Sequence, residues 1–501
     1  MASSLRLGAW LIGLAIGMVG CADALRLEPP SGTGQGGSTV TGPAGSGGGT
    51  ALSCNSSSDC PEPTGVCDTV QHNCVQCLSF SDCGFKPGTV CSKGKCACPG
   101  GYEFCGANKC VDLKVAQDNC GKCKHACFGA CSAGACNDPW EPVASEGAPA
   151  ARSNHVAVWA TESNVMIVWG GIGPGGGNGA TNTGGIYNPA TFSWTPTTAA
   201  GAPTARYNAT AVWTGKEMLV WGGQDSTNAY LSDGGRFDPV TNVWKPISNA
   251  GSPGPRAFHV AVWDPKAGEM IVWGGSDSSN ELATGGRYRP DMDAWTSIQD
   301  NPQPNASRSR ACGLWDSKLN AFFIYGGFGD DISNTVNNKF FPDGAVPGGV
   351  VYQPSGMPAW TGLQTVAQPS SRADCTAVFD GDKRYFVFGG ISDNSSGYLN
   401  SGAQWDGAMW SAFNGAAPTA RRDHTAVFVS KVKYMIVFGG RNASPLDTGM
   451  ALDTTMNTWK SELPRVLSPR YGHTAVSTGD KMIVWGGQGS GKLNDGGIYT
   501  P

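Results

Sequence analysis

After Cys136 a run of aliphatic residues closed by an aromatic and two glycines occurs seven times: Val168-Trp169-Gly170-Gly171, Val220-Trp221-Gly222-Gly223, Val272-Trp273-Gly274-Gly275, Ile324-Tyr325-Gly326-Gly327, Val387-Phe388-Gly389-Gly390, Val437-Phe438-Gly439-Gly440 and Val484-Trp485-Gly486-Gly487. The copies stand about 50 residues apart. A period of that length marks one supersecondary unit repeated, too short for a domain of its own and too regular for chance. Each run, such as Met166-Ile167-Val168-Trp169, lacks alternation, so it reads as a strand buried on both faces by stacked neighbours. The paired glycines supply backbone conformations and a close approach that a Cβ would hinder. With Gly 73 and Trp 17, the chain has the small and bulky residues that many short strands and tight turns need.

Other columns keep register with the glycines. Tyr187, Phe237, Tyr288, Tyr352 and Tyr499 follow them, often ahead of an Asx-Pro turn, and Trp194, Trp244, Trp295, Trp360, Trp410 and Trp459 come next. In order and residue type this resembles the kelch repeat, a likeness running over roughly 360 residues. The resemblance implies an all-β fold, a seven-bladed β-propeller over 138–501. The last copy stops at Tyr499-Thr500-Pro501 without its tryptophan. Trp140 lies 12 residues before Arg152, the spacing of Trp194 to Arg206, so the N-terminal strand is expected to close the last blade.

The first residues bear on the compartment. Arg6 precedes an apolar run, Leu7 to Gly20, of secretory length and too short to span a membrane, so 1–20 reads as a signal peptide. Met18-Val19-Gly20-Cys21 resembles a bacterial lipobox, with Cys21 as the lipidated residue; Ala22-Asp23-Ala24 offers an ordinary cleavage site instead. Residues 21–53, nearly all Gly, Ser, Thr, Ala and Pro from Ser31, read as a tether. An outer-membrane or cell-surface lipoprotein is expected, touching the membrane through its lipid alone, with a periplasmic or secreted protein as the alternative.

Residues 54–137 hold 16 cysteines between Cys54 and Cys136 and few aliphatics, which reads as a disulfide-rich module of eight bridges. It resembles cysteine-rich segments of bacterial surface lipoproteins. The two-residue gaps Cys74 to Cys77 and Cys120 to Cys123, with His125 nearby, also match zinc spacing, but an oxidising compartment favours disulfides. Cys312 and Cys375 occupy nearly equivalent slots in successive blades. Counted from Trp315 and Phe379, strand alternation points them to opposite faces, so a bridge between them calls for a bulge.

Seven positions before the inner-strand residues Trp159, Trp213, Trp263, Trp315, Phe379, Phe428 and Ser477 stand Arg152, Arg206, Arg256, Arg308, Arg372, Arg421 and Arg470. Such a ring suits the carboxylates or sulfates of a polysaccharide, but repetition in every blade favours a structural role, with each guanidinium bonded to backbone carbonyls. Three residues on, the column reads His155, Ala209, His259, Ala311, Cys375, His424 and His473, strand-entry residues rather than metal ligands. The repeat breaks its length once. Gly327 to Tyr352 spans 25 residues where Gly223 to Phe237 spans 14, and the extra loop brings Asp330, Asp331, Asn334, Phe340, Phe341 and Asp343 to the face of the arginine connections.

Net charge is -4 and no block of lysines or arginines could follow a phosphate backbone, so nucleic acid is excluded as a partner class. No catalytic constellation, metal set or cofactor motif stands out. The expectation is a binding or scaffolding protein for a protein or polysaccharide partner, with an extracellular glycan-active enzyme as the alternative.

Overall fold

The computed structural model describes 110–501, apart from 175–177, 299–306, 330–338, 341–347, 357–358 and 393–396, together with short segments between 66 and 104. The signal-peptide, lipobox and tether readings lie outside the described residues. Seven four-stranded antiparallel sheets follow one another, each a meander such as Val156–Ala160, Val165–Trp169, Gly184–Asn188 and Ser193–Pro196. This is the expected all-β, seven-bladed propeller. The seventh sheet takes its outer strand, Trp140–Pro142, from the other end of the domain, with Tyr499 opposite Trp140 and Gly497 opposite Pro142. Trp140 is wholly buried, tilted against Phe438 and Tyr499. The ring is therefore closed as expected.

The aliphatic runs are the second strands of the blades. Each lies between two strands of its own sheet and between the faces of two neighbouring blades, so Met166, Ile167, Val168 and Trp169 all have zero exposure. The innermost strands, which line the channel, alternate instead. The third-strand aromatic packs on the outer-strand tryptophan, as Tyr187 on Trp194 and Phe237 on Trp244.

Adjacent blades meet through one recurrent slot. The first residue of an inner strand faces the strand-entry residue of the next blade. Four of these pairs are threonine with histidine: Thr210 and His259 at 2.7 Å, Thr376 and His424 at 2.9 Å, Thr425 and His473 at 2.9 Å, Thr474 and His155 at 2.8 Å. Val156 packs with Ala209 in one cluster and Val260 with Ala311 in another. The seventh pair is a disulfide, Cys312–Cys375, with Cα atoms 5.4 Å apart. It forms from a regular strand, Cys312 opposite Tyr325 through Asp316 opposite Ala321, so the expected bulge is absent. The alternation argument fails because residues on opposite faces of successive blades are the ones that confront each other in a stack.

In the cysteine-rich region the described bridges are Cys98–Cys110, Cys120–Cys131 and Cys127–Cys136, and Cys123 is also bridged. Cys120 and Cys123 thus hold no free thiolate pair of the zinc kind. The segment docks where blade seven meets blade one. Lys122 Nζ donates to the Ala190 carbonyl and lies 4.3 Å from the Phe192 ring centroid, while His125 stacks on that ring at 4.5 Å and pairs with Glu141 at 3.1 Å.

Candidate ligand face at the channel mouth

Each blade begins with the arginine, then one residue, then a residue in left-handed backbone that turns the chain into the inner strand. The second glycine of every pair donates its N–H to the carbonyl of the next blade's arginine at 2.8 or 2.9 Å, from Gly171 to Arg206 through Gly487 to Arg152. Gly171 reaches this position with φ 93, and an added Cβ would lie 2.7 Å from the Ser153 carbonyl, so the position requires glycine.

The arginine side chains turn inward. Arg152 donates from Nε to Ala150 and from Nη1 to Gly170 and Thr183, all backbone carbonyls; Arg256, Arg372 and Arg421 repeat this in their own blades. Arg308 Nη1 reaches the carbonyls of Gly326 and Gly348. Arg206 and Arg470 add a carboxylate, Asp233 at 2.9 Å and Asp495 at 3.2 Å. None of the seven is more than 1% exposed. Burial lowers Arg152, Arg256, Arg308, Arg372 and Arg421 to about 10. These guanidinium groups tie the second strand to the third and face no solvent.

The histidines are likewise spent. They lie blades apart, each held to a threonine, and burial lowers His259 and His473 to about 3 and His155 and His424 well below 6.5.

What does reach solvent is the ring of left-handed residues, Asn154, Asn208, Phe258, Arg310, Asp374, Asp423 and Gly472, with φ between 52 and 59. Neighbours are linked through the backbone, as Asn154 N–H to Gly472, Arg310 N–H to Phe258 and Asp374 N–H to Arg310. Asparagine, aspartate and glycine adopt this backbone readily; phenylalanine and arginine do so at a cost. Phe258 and Arg310 are adjacent in the ring, and the guanidinium carbon lies 4.4 Å from the phenyl centroid.

Both line a recess of about 350 Å³ with Tyr230, Phe328, Asp374 and Arg422. A chain of alternating charges crosses it. Arg310 and Arg422 approach Asp374 at 3.4 and 3.5 Å, Arg422 approaches Asp423 at 3.7 Å, and Arg441 meets Asp423 at 2.6 Å. Burial, reinforced by Asp423 and opposed by the two arginines, raises the Asp374 carboxyl to about 6. The repeat did not reveal these residues, since they occupy a column with no shared chemistry. A phenylalanine and an arginine among asparagine, aspartate and glycine were the available signal.

The long loop of blade four leaves from the same mouth. Phe328–Gly329 pairs with Lys339–Phe340, and Phe328 bridges to Ser309 beside Arg308. For Phe340 only the backbone is described. Asp330, Asp331, Asn334, Phe341 and Asp343 lie outside the described residues.

The architecture defines a closed β-propeller with a polar recess at one end of its channel. The chain belongs to the kelch-repeat family: the KLHDC2/KLHL20/DRC7 Kelch-repeats domain matches residues 135–327, 269–462 and 403–500. Propellers of this family are generally protein-binding scaffolds rather than enzymes. The chain is also similar to acyl-CoA-binding domain-containing protein 4 of Arabidopsis thaliana, 25% identical over 239 residues, and to host cell factor homolog hcf-1 of Caenorhabditis elegans, 33% identical over 129 residues. These matches cover 44% and 21% of this chain and 33% and 16% of the relatives, so the chain spans a third or less of their length.

Proposed function

We propose that the chain is a non-catalytic binding protein whose partner, a protein segment, docks at the channel mouth between blades three and six. The observation that carries this reading is the pair Phe258 and Arg310. Strained backbone persists where the side chain is needed, and both side chains line the recess. The Asp374 and Asp423 carboxylates fix the arginines in place, so the face is preorganised for a partner carrying both apolar and charged groups. The blade-four loop leaves this mouth through Phe328, and its sequence is rich in acidic and aromatic residues.

The test uses peptides selected from a random display library on the immobilised full chain. Phe258→Asn and Arg310→Asn keep residue types that favour left-handed backbone while removing the ring and the charge. Selected peptides are expected to lose at least tenfold in affinity with the melting temperature held or raised. Unchanged affinity moves the binding face elsewhere. Shortening the loop to the length found in blade two reads its share of the surface in the same assay.

The setting of this binding is export and acylation at Cys21, resting on the lipobox-like Met18-Val19-Gly20-Cys21 and the cysteine-rich composition that follows. Ala22 after the cysteine resembles an outer-membrane sorting signal. Mass spectrometry of the mature N-terminus decides it: a diacyl or triacyl Cys21 supports anchoring, and an unmodified chain beginning at Leu25 overturns it.

A further inference from the structure

On the face opposite the channel mouth, the last cysteine-rich segment and the seam of blades one and seven enclose a second recess, of about 390 Å³. This lies near the lower end of the ~300–1,000 Å³ of small-ligand sites, which favour such junctions between domains. We propose that it takes one neutral pyranose ring of a glycan.

The walls are fixed by a departure from the repeat. The left-handed residue before the outer strand is Asn242 in blade two, Asp293 in blade three and Asn457 in blade six. Each reaches back to the preceding blade: Asn242 Nδ2 donates to Pro196, Asp293 Oδ1 accepts from Ser248 N–H, and Asn457 Nδ2 donates to Ala412. Blade one has Phe192 there, at φ 50, a conformation that disfavours a bulky residue. Its ring is the surface on which Lys122 and His125 rest. Phe192 thus exchanges an ordinary interblade contact for one that sets the cysteine-rich wall against the propeller.

The lining then states the ligand chemistry. Trp159, partly exposed, offers an aromatic wall, with Ile483 and Ile498 packed beneath it at 0% and 2% exposure. At the rim stand Asn164, Asp480 and Lys481. Lys481 Nζ is 4.0 Å from Glu141 Oε1, beyond hydrogen-bond reach, and neither this ammonium nor the Asn164 amide bonds another described side chain or carbonyl. Asp480 Oδ1 accepts from Thr478, leaving its second oxygen. The recess presents unspent donors and an acceptor beside a flat apolar surface, while its lysines are balanced by Glu141 and Asp480. Charge balance removes the demand for an anion, and donors with acceptors around an indole suit ring hydroxyls over a C–H face.

The experiment is saturation-transfer NMR on the full chain with methyl glucopyranoside, methyl galactopyranoside and methyl mannopyranoside in turn. At least one is expected to receive saturation, and Asn164→Gly with Lys481→Ala to weaken it at least fivefold at an unchanged melting temperature. Asn164→Gly suits the positive φ of 52 at that turn. If the double variant melts early, Lys481→Ala alone serves, with a twofold loss expected. Arg310→Asn is expected to leave the signal intact, which separates this site from the channel mouth. No transfer to any of the three sugars, equal transfer in the variant, or loss of transfer in Arg310→Asn overturns the proposal.

Discussion

Thr474 Oγ1 and His155 Nε2 lie 2.8 Å apart across a sequence separation of 319 residues, in the slot where every pair of adjacent blades meets. The slot accepts threonine with histidine, valine with alanine, or cysteine with cysteine, so its two positions behave as a unit. Thr474→Val leaves the buried His155 unmatched and His155→Ala leaves the half-buried Thr474 hydroxyl unmatched, and each is expected to cost about 1–3 kcal/mol. Made together they reproduce the pairs of blades one with two and three with four. The double variant is expected to cost less than the sum of the singles, a non-additivity read by urea denaturation in a double-mutant cycle.

Acid should weaken the ring through the same slot. The four paired histidines are held neutral in the folded chain, with His259 and His473 lowered to about 3 from 6.5. Below about 6.5 the unfolded chain binds protons that the folded chain refuses, so stability falls as pH drops, by up to about 1.4 kcal/mol per pH unit for each histidine. Asp374 opposes this, because its folded carboxyl is raised from 3.8 to about 6 and gains stability as pH falls through that value. One carboxyl against four histidines leaves a net loss. Urea midpoints are expected to drop from pH 7 to pH 5, and the combined Thr474→Val and His155→Ala change to make the drop shallower.

Arg372→Lys tests whether the arginine column is interchangeable with another cation. Arg372 spreads donors over the carbonyls of Ser370, Gly389 and Ser401 with no exposure. A lysine ammonium is a compact, strongly hydrated point donor and cannot span them, so about 2–4 kcal/mol of stability should be lost in denaturant titration.

Deleting Asp138 to Pro149 removes the strand that pairs with Gly496–Tyr499 and the Trp140 indole. A buried tryptophan alone is worth about 3–5 kcal/mol on truncation. Thermal melts are expected to show a far larger drop than deletion of Ser31 to Ser53, and equal melting temperatures would contradict closure through Trp140.

The fold was legible because seven copies in phase turn weak local signals into a frame, and Trp140 filled the one vacancy in it. The bonding of the arginines to carbonyls followed from symmetry, since a ligand rarely repeats with the blades. Besides the channel-mouth column, two things were not legible. The Cys312–Cys375 geometry required knowing which faces of two blades confront each other, a property of stacking that alternation within one strand does not contain. The docking of the cysteine-rich segment depends on Phe192, whose meaning appears only beside Asn242, Asp293 and Asn457 in the same slot.

Trp140 is synthesised before almost the whole of the propeller, yet the edge it pairs with, Gly496–Tyr499, is the last strand of the propeller to emerge. Six blades can assemble from neighbours in sequence as they appear, while the seventh waits with its first-made strand unpaired. A stall or truncation at the C-terminal edge and a lesion at the N-terminal strand are therefore the same defect met from two directions. Either leaves an open arc with two raw sheet edges, the form most exposed to aggregation while the chain is still being made.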